Sequence, residues 1–495
     1  MDLLPRRLAP ALGLALALLA AMLLPSSAAA SSRQRTVFDA TAYLIGDVTS
    51  AQRRNRLDEL DRMGVDTLRV LLRWHNLVPS PDQPKPPARF NASDPHDYPR
   101  GLWDGIDEMV SGAEARGIRV LLTIGAPVPQ WATVSGQSTV KNPLPQEYMQ
   151  LMTAVGRRYG GSFRPGGSGL GCVLSVCPPV GQPQPPLPKV TSFAVWSEPN
   201  QDLFLQPQYR GGRPYAGRLY RRLFLAAQQG LARSGHDKDL LLIGETAPSG
   251  GRSSTDPIDF LRGVLCLSPA FRPRGKCARI RADGWAHHPY SPGVAPFETS
   301  SNRGLINMAT LGRLGAALRK AARAGRTKGR LPIYITEFGV QSVPDHQFGV
   351  SLKRQAEYLG ISEFMAWRRK DVRSYGQYLM ADDPPSFEFS FTTGLKLHSG
   401  RKKPAYKAFP LTLAVRRRGH RVLVWGHLRP GNGRRQVEVR VGGRGRDGRL
   451  RRLRTNARGY FSFGSAFRAG RRWRAVASTD GRRLKGPWVR AYRLP

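Results

Sequence analysis

Two glutamates stand at the ends of short apolar runs: Glu198 in Trp196-Ser197-Glu198-Pro199-Asn200, and Glu337 in Tyr334-Ile335-Thr336-Glu337-Phe338-Gly339. Two carboxyl groups facing one cavity can cleave a glycosidic bond, because one donates a proton to the leaving oxygen while the other attacks the anomeric carbon or activates water. Taken singly, each glutamate reads equally well as a surface residue at a strand end. Their weight depends on whether the fold brings them to one mouth. The sequence contains no G-x-S-x-G elbow, no H-E-x-x-H and no phosphate-cradling loop, which removes the commonest serine hydrolases, zinc proteases and nucleotide binders. No metal or organic cofactor is implied.

The elements that must position the pair follow from hydrophobic periodicity. Strand-like runs at 37–44, 67–72, 118–124, 191–196, 240–244, 281–286, 333–336 and 372–379 alternate with helical patterns at 52–63, 102–116, 146–159, 215–233, 256–265, 308–324, 352–369 and 403–409. Eight such units in about 375 residues predict a (β/α)8 TIM barrel with insertions, ahead of a doubly wound sheet, which needs fewer units. Glu198 and Glu337 then close strands four and seven at the C-terminal mouth, where barrel enzymes place their chemistry. The Gly/Pro-rich insertion 160–189, with Cys172 and Cys177, and the loop holding Cys266 and Cys277 each lead from a helix into a strand. Both fall on the opposite face, so local disulfides there, the simplest of three pairings, are expected to be staples.

Over roughly residues 37 to 410 the chain resembles the retaining glycoside hydrolases of clan A, most closely families 5 and 39. The resemblance implies Glu198 as acid/base and Glu337 as nucleophile. It extends to Arg69 in Asp66-Thr67-Leu68-Arg69-Val70, at the place of the arginine that pairs with the nucleophile, and to His288-Pro289-Tyr290 after strand six. The closing Lys403-Pro404-Ala405-Tyr406-Lys407-Ala408-Phe409 also fits. Arg69 would keep Glu337 ionised and Tyr290 would orient it, while His288 would contact a sugar hydroxyl or the acid/base. His287 reads as structural. Trp74, Trp131, Trp285 and Tyr378 are candidate stacking faces for sugar rings, although any one of them reads more readily as core than as platform. One position departs from the clan, which has Asn before the acid/base to bond the sugar 2-hydroxyl; here Ser197 stands there, with Asn200 or a water as the candidate substitute. That departure leaves room for a second reading, a barrel that binds glycans without cleaving them and is attached to an anionic cell envelope.

The chain has 495 residues, 40% hydrophobic and 23% charged, with 77 Lys+Arg against 35 Asp+Glu and a net charge of +42. That is too apolar for a disordered polycation and too charged for a multi-span membrane protein. Residues 1–30 carry Arg6 and Arg7, an apolar stretch from Leu8 to Leu24 and a small-residue cleavage site, the pattern of a secretory signal, so a secreted or envelope-associated protein is expected, with no membrane span. The barrel is expected over 33–410. From Leu411 to Pro495, 24 basic residues face 3 acidic ones, a surplus of 21 and half the total. Short alternating runs divided by Gly, Asn and Asp turns predict a small, Ig-like all-β sandwich over 411–495. Its charge suits an anionic cell-wall polymer, although the arginines read equally well as a solubility device. An oligo- or polysaccharide is the expected substrate, and nucleic acid is not expected.

Overall fold

The computed structural model describes residues 34–165, 185–385, 390–443, 445–479 and 481–494. The signal-like segment and the Cys172/Cys177 pair lie outside the described residues.

Eight parallel strands close into a barrel: β1 (Arg35–Asp39), β2 (Thr67–Arg73), β3 (Arg119–Gly125), β4 (Ser192–Val195), β5 (Leu240–Thr246), β6 (Gly284–His287), β7 (Ile333–Ile335) and β8 (Val372–Tyr378). Each pairs with its sequence neighbours, and β8 pairs with β1. The outer ring comprises α1 (Ser50–Arg62), α2 (Asp104–Glu114), α3 (Pro145–Arg158), α4 (Ala216–Arg233), α5 (Pro257–Val264), α6 (Leu311–Arg323), α7 (Leu352–Trp367) and the short α8 (Pro404–Ala408). These helices bury their apolar faces on the strands. Inside the barrel, Leu121, Ala194, Leu242 and Ala286 form a separate small cluster with Tyr334 packed against it, so the interior is filled and only the C-terminal mouth is open to chemistry. Cys266 and Cys277 are disulfide-bonded between α5 and β6. Among the described residues no helix is long and apolar enough to cross a membrane.

The first strand is shorter than its periodicity predicts. β1 stops at Asp39 and residues 41–44 form a helical turn, because the Asp39 carboxylate accepts from the Thr41 amide at 3.1 Å and draws the backbone out of the extended form.

The remaining strands, β9 (Leu411–Arg418), β10 (Arg421–Leu428), β11 (Gln436–Gly443), β12 (Gly445–Arg454), β13 (Tyr460–Ala466), β14 (Arg472–Thr479), β15 (Arg482–Lys485) and β16 (Val489–Tyr492), form one curled sheet around a core of Val415, Val424, Val437, Phe461 and Trp473. The expected two layers are present, β12-β11-β14 and β9-β10-β13, but β16 joins them by pairing with both β14 and β9.

The β9-β10-β13 layer packs on α7 through Phe364, Ala414, Trp425 and Tyr460. At its centre lies a buried ionic cluster. Glu363 of α7 accepts from His427 Nδ1 at 2.6 Å and from Arg429 Nη2 at 2.5 Å, and Arg429 also donates to the Phe409 carbonyl at 2.6 Å and to Thr36 Oγ1 at 3.1 Å. Burial alone would raise the Glu363 pKa, but the Arg429 charge and the His427 contact outweigh it and hold the group down at about 2. A depressed carboxylate stabilises the fold above its unfolded pKa, about 4.3, and that stability is lost as pH falls toward the folded value. Glu363→Gln should therefore cost about 3–5 kcal/mol at pH 7, since it strands a buried guanidinium. In urea unfolding, the gap between variant and parent should narrow steadily below pH 4.

Candidate active site

The mouth gathers four carboxylates, three of them around one guanidinium. Arg69, on β2, points into the barrel with its side chain only 1% exposed. Its Nε and Nη2 donate to the two oxygens of Glu245 at 2.9 and 2.7 Å. Nη1 reaches Glu337 Oε1 at 2.6 Å and also donates to Asp39, and Nη2 donates to Ser197 Oγ at 3.0 Å. Every face of the guanidinium is engaged, and Arg69 is held charged well above its ordinary range: burial works against the charge, but Glu245, Glu337 and Asp39 overcome it.

Local backbone geometry aims these groups. β5 carries a register shift between Ile243 and Thr246, with Gly244 at φ +107° and Glu245 at φ +44°. This bulge re-aims a side chain at the end of a strand and turns Glu245 onto Arg69. Trp196 and Glu198 also sit in the left-handed region, at φ +67° and +47°, and the Glu198 amide donates to the Glu245 carbonyl at 2.9 Å. On the far side, β8 must pass close to β7: a Cβ on Gly376 would lie 2.5 Å from the Thr336 carbonyl oxygen and 2.9 Å from the Glu337 nitrogen. Non-glycine residues held at positive φ cost stability and cluster where a site demands them.

Glu198 and Glu337 come together. One oxygen of each and a nitrogen of His288 lie within 4.8 Å of one another. Glu337 Oε2 accepts from the Tyr290 hydroxyl at 2.9 Å. His288 Nδ1 lies 2.9 Å from Glu198 Oε1 and 3.6 Å from Glu337 Oε2, while its Nε2 faces Thr336 Oγ1 at 3.1 Å. Burial would lower the His288 pKa, but Glu337, Glu198 and Glu245 reverse that and raise it. Three such groups resemble a ligand set; here both His288 nitrogens are engaged, Nδ1 with Glu198 and Nε2 with Thr336. Glu245 is held below the usual carboxylate range, since Arg69 outweighs its burial. Asp39 is pushed up, chiefly by burial and then by Glu337.

The other expected residues divide. Tyr378 sits edge-on to Tyr290, with ring centroids 6.1 Å apart, and its hydroxyl is pushed up by burial and then by Glu337 and Asp39, which places it beside the carboxylates. Ser197 is at the centre, accepting from Arg69. Asn200 is not available to a sugar: it is fully buried, its amide donates to the Thr255 carbonyl at 3.0 Å and its oxygen accepts from the Ala247 amide at 2.8 Å. It clamps the β4 and β5 loops together. Trp131 packs edge-on against Trp74 and Phe90 and is 5% exposed, while Trp74 and Trp285 are fully buried; these three rings are core. His287 is structural as expected, bonded to Thr246 and the Ile306 carbonyl and pushed down to about 3 by burial. Sequence reasoning does not single out Asp39 or Glu245. Glu245 carries the same signal as the other glutamates, an acidic residue at the end of an apolar run, one position past the expected end of strand five.

No family model and no curated protein matches this sequence. Solved structures with similar architecture include a β-glucuronidase from Bacteroides uniformis, at 12% identity over 94% of this chain and 46% of that chain with a TM-score of 0.44, so the chain spans about half the length of that protein. A GH5_18 protein from Streptomyces cattleya in complex with GlcNAc has 17% identity over 76% of this chain and 79% of that one, with a TM-score of 0.45. The virulence factor SghA, in complex with its substrate analogue salicin, has 14% identity over 75% and 88%, with a TM-score of 0.42.

Arg69 is the only described cation bonded to Asp39, Glu245 and Glu337 together. Arg69→Met should therefore destabilise the fold by about 3–5 kcal/mol at neutral pH. Because the penalty comes from ionised carboxylates, it should shrink as pH falls through about 4. Thermal or urea unfolding at pH 7 and pH 3.5 checks this; an equal loss at both would show that Arg69 acts through packing.

Proposed function

We propose that this chain is a retaining glycoside hydrolase, exported to act on extracellular oligo- or polysaccharide. The observation that carries the reading is the spacing and unequal environment of Glu198 and Glu337, one oxygen of each lying within 4.8 Å of the other across one mouth. Retaining pairs have carboxyl groups about 5–5.5 Å apart, and inverting pairs leave room for a water at roughly 6.5–9.5 Å.

The roles follow from the partners. Glu337, with its side chain 10% exposed, is ion-paired with the Arg69 guanidinium and accepts a hydrogen bond from the Tyr290 hydroxyl, partners that fix and orient the carboxylate as a nucleophile. Glu198 is the more open, at 21%, and is bonded to His288 alone among the charged side chains of the site. The Glu198–His288 couple holds the proton delivered to the leaving oxygen as Glu337 forms the glycosyl-enzyme bond. Once that bond forms, the charge on Glu337 is gone, and Glu198 takes a proton from the incoming water. Ser197 spends its acceptor on Arg69 and has one hydrogen to offer a sugar 2-hydroxyl, fewer than the amide it replaces, and Asn200 supplies no substitute. The reading therefore favours a substrate recognised weakly at that carbon.

A panel of aryl glycosides and polysaccharides, tested with wild type and two variants, examines the assignment. Glu198→Ala should lose about 10²–10⁴-fold on substrates with poor leaving groups, yet keep turnover on an activated phenolate and be rescued by azide. Glu337→Ala should be inactive on all of them, and the first product should retain its anomeric configuration. Glycan binding without turnover by wild type would support the binding-only barrel instead.

A further inference from the structure

In the β12-β11-β14 layer, arginines of adjacent strands share cross-strand positions. Arg449 of β12 lies directly opposite Arg440 of β11, which lies opposite Arg474 of β14. One pair further along, Arg472 of β14 lies opposite Arg490 of β16. Neighbouring strands are about 4.8 Å apart, so Arg449, Arg440 and Arg474 make a row across three strands, beside the register shift between Val439 and Arg440. Like charges directly opposite in a sheet are destabilising. Arginines scattered for solubility alone would have no reason to share cross-strand positions.

Two details point to what such a row binds. Glu438, the one acidic side chain described on this face, is contacted by Arg440 at 3.1 Å, Arg449 at 3.4 Å and Arg452 at 3.9 Å. Arg449 and Arg452 remain more than half exposed, at 55% and 52%. Among the described residues the face thus already holds one carboxylate among several guanidiniums, with more positive than negative groups. Beside the row, the half-buried Trp488 ring has the Arg474 guanidinium 4.2 Å from its centroid and that of Arg472 at 5.9 Å.

We propose that this face is a binding site for an acidic polysaccharide, with uronate carboxylates on the arginine rows and a sugar ring against Trp488. Guanidinium binds carboxylate in a two-pronged geometry that ammonium cannot reproduce, and an aromatic ring gives a pyranose an apolar platform. Nucleic acid fits less well: single strands use successive aromatic platforms, and duplexes are read by an element that enters a groove, whereas this face is a sheet surface flanked by one described ring, Trp488. The inference is independent of the chemistry in the barrel mouth.

The test uses the full chain and polygalacturonate, with polyphosphate, duplex DNA and neutral dextran as comparisons. Polygalacturonate should bind best, losing at least tenfold in affinity between 50 and 200 mM NaCl, and dextran should not bind. The triple variant Arg440→Gln/Arg449→Gln/Arg474→Gln should lose at least tenfold while its melting temperature holds or rises, and the matching Lys triple should fall between it and wild type. Glu438→Gln, which removes the competing carboxylate, should bind several-fold tighter. Trp488→Ala should weaken polygalacturonate but not polyphosphate. A control triple elsewhere in the same region, Arg421→Gln/Arg458→Gln/Arg468→Gln, should bind as wild type does. The proposal is overturned if this control loses as much as the row variant, since net charge would then be the cause. It is equally overturned if DNA or polyphosphate binds as tightly as polygalacturonate with Trp488→Ala indifferent to all three.

Discussion

The architecture of the mouth depends on one buried guanidinium. Arg69 bonds Glu245 through two parallel contacts and shares its third nitrogen between Asp39 and Glu337. Three carboxylates in so small a volume repel one another and lose hydration; a single fixed, permanently charged fork offsets part of both costs. Glu245 takes the larger share and is held down, whereas Asp39 is left with too little compensation and is pushed up. That inequality leaves Glu337 with a strong but incomplete counter-ion, completed by the Tyr290 hydroxyl.

Holding this arrangement requires backbone conformations that strands do not adopt unaided. The bulge at Gly244-Glu245 and the positive φ of Trp196 and Glu198 lie at neighbouring strand ends joined by the Glu198–Glu245 backbone hydrogen bond. Asn200, fully consumed by the Thr255 carbonyl and the Ala247 amide, ties the loops that follow. The closed barrel over-determines these positions, since each strand is fixed on both edges. Strain at one end is thus borne by ladders along the whole strand.

The second sheet has two faces with opposite tasks. The β9-β10-β13 layer spends its polar groups inward, on the Glu363, His427 and Arg429 cluster, and presents Trp425 and Tyr460 to α7. The β12-β11-β14 layer carries aligned arginines on its solvent side. A surplus of 21 charges over 411–495 is therefore not uniform: one arginine, Arg429, is buried as a structural ion, and others stand in rows.

The barrel and the place of Glu198 and Glu337 at its mouth were legible in the sequence, because periodicity is local and strand-end position follows from counting eight units. So were the roles of Arg69 and Tyr290 as partners of Glu337, through the resemblance that Arg69 and the His288-Pro289-Tyr290 run carry. Asp39 and Glu245 were not. Asp39 was hidden inside an apolar run that local pattern extends to residue 44, and Glu245 lay one residue beyond the expected end of its strand; only Arg69, distant in sequence from both, reveals them as partners. Asn200 and Trp131 went the other way, having the residue types of a sugar site in places that packing consumed, whereas Trp74 and Trp285 are core, the reading their residue type already favoured. Residue type and period are properties of a segment, whereas which carboxylate meets which cation, and which ring is covered, depends on strands brought together only when the barrel closes.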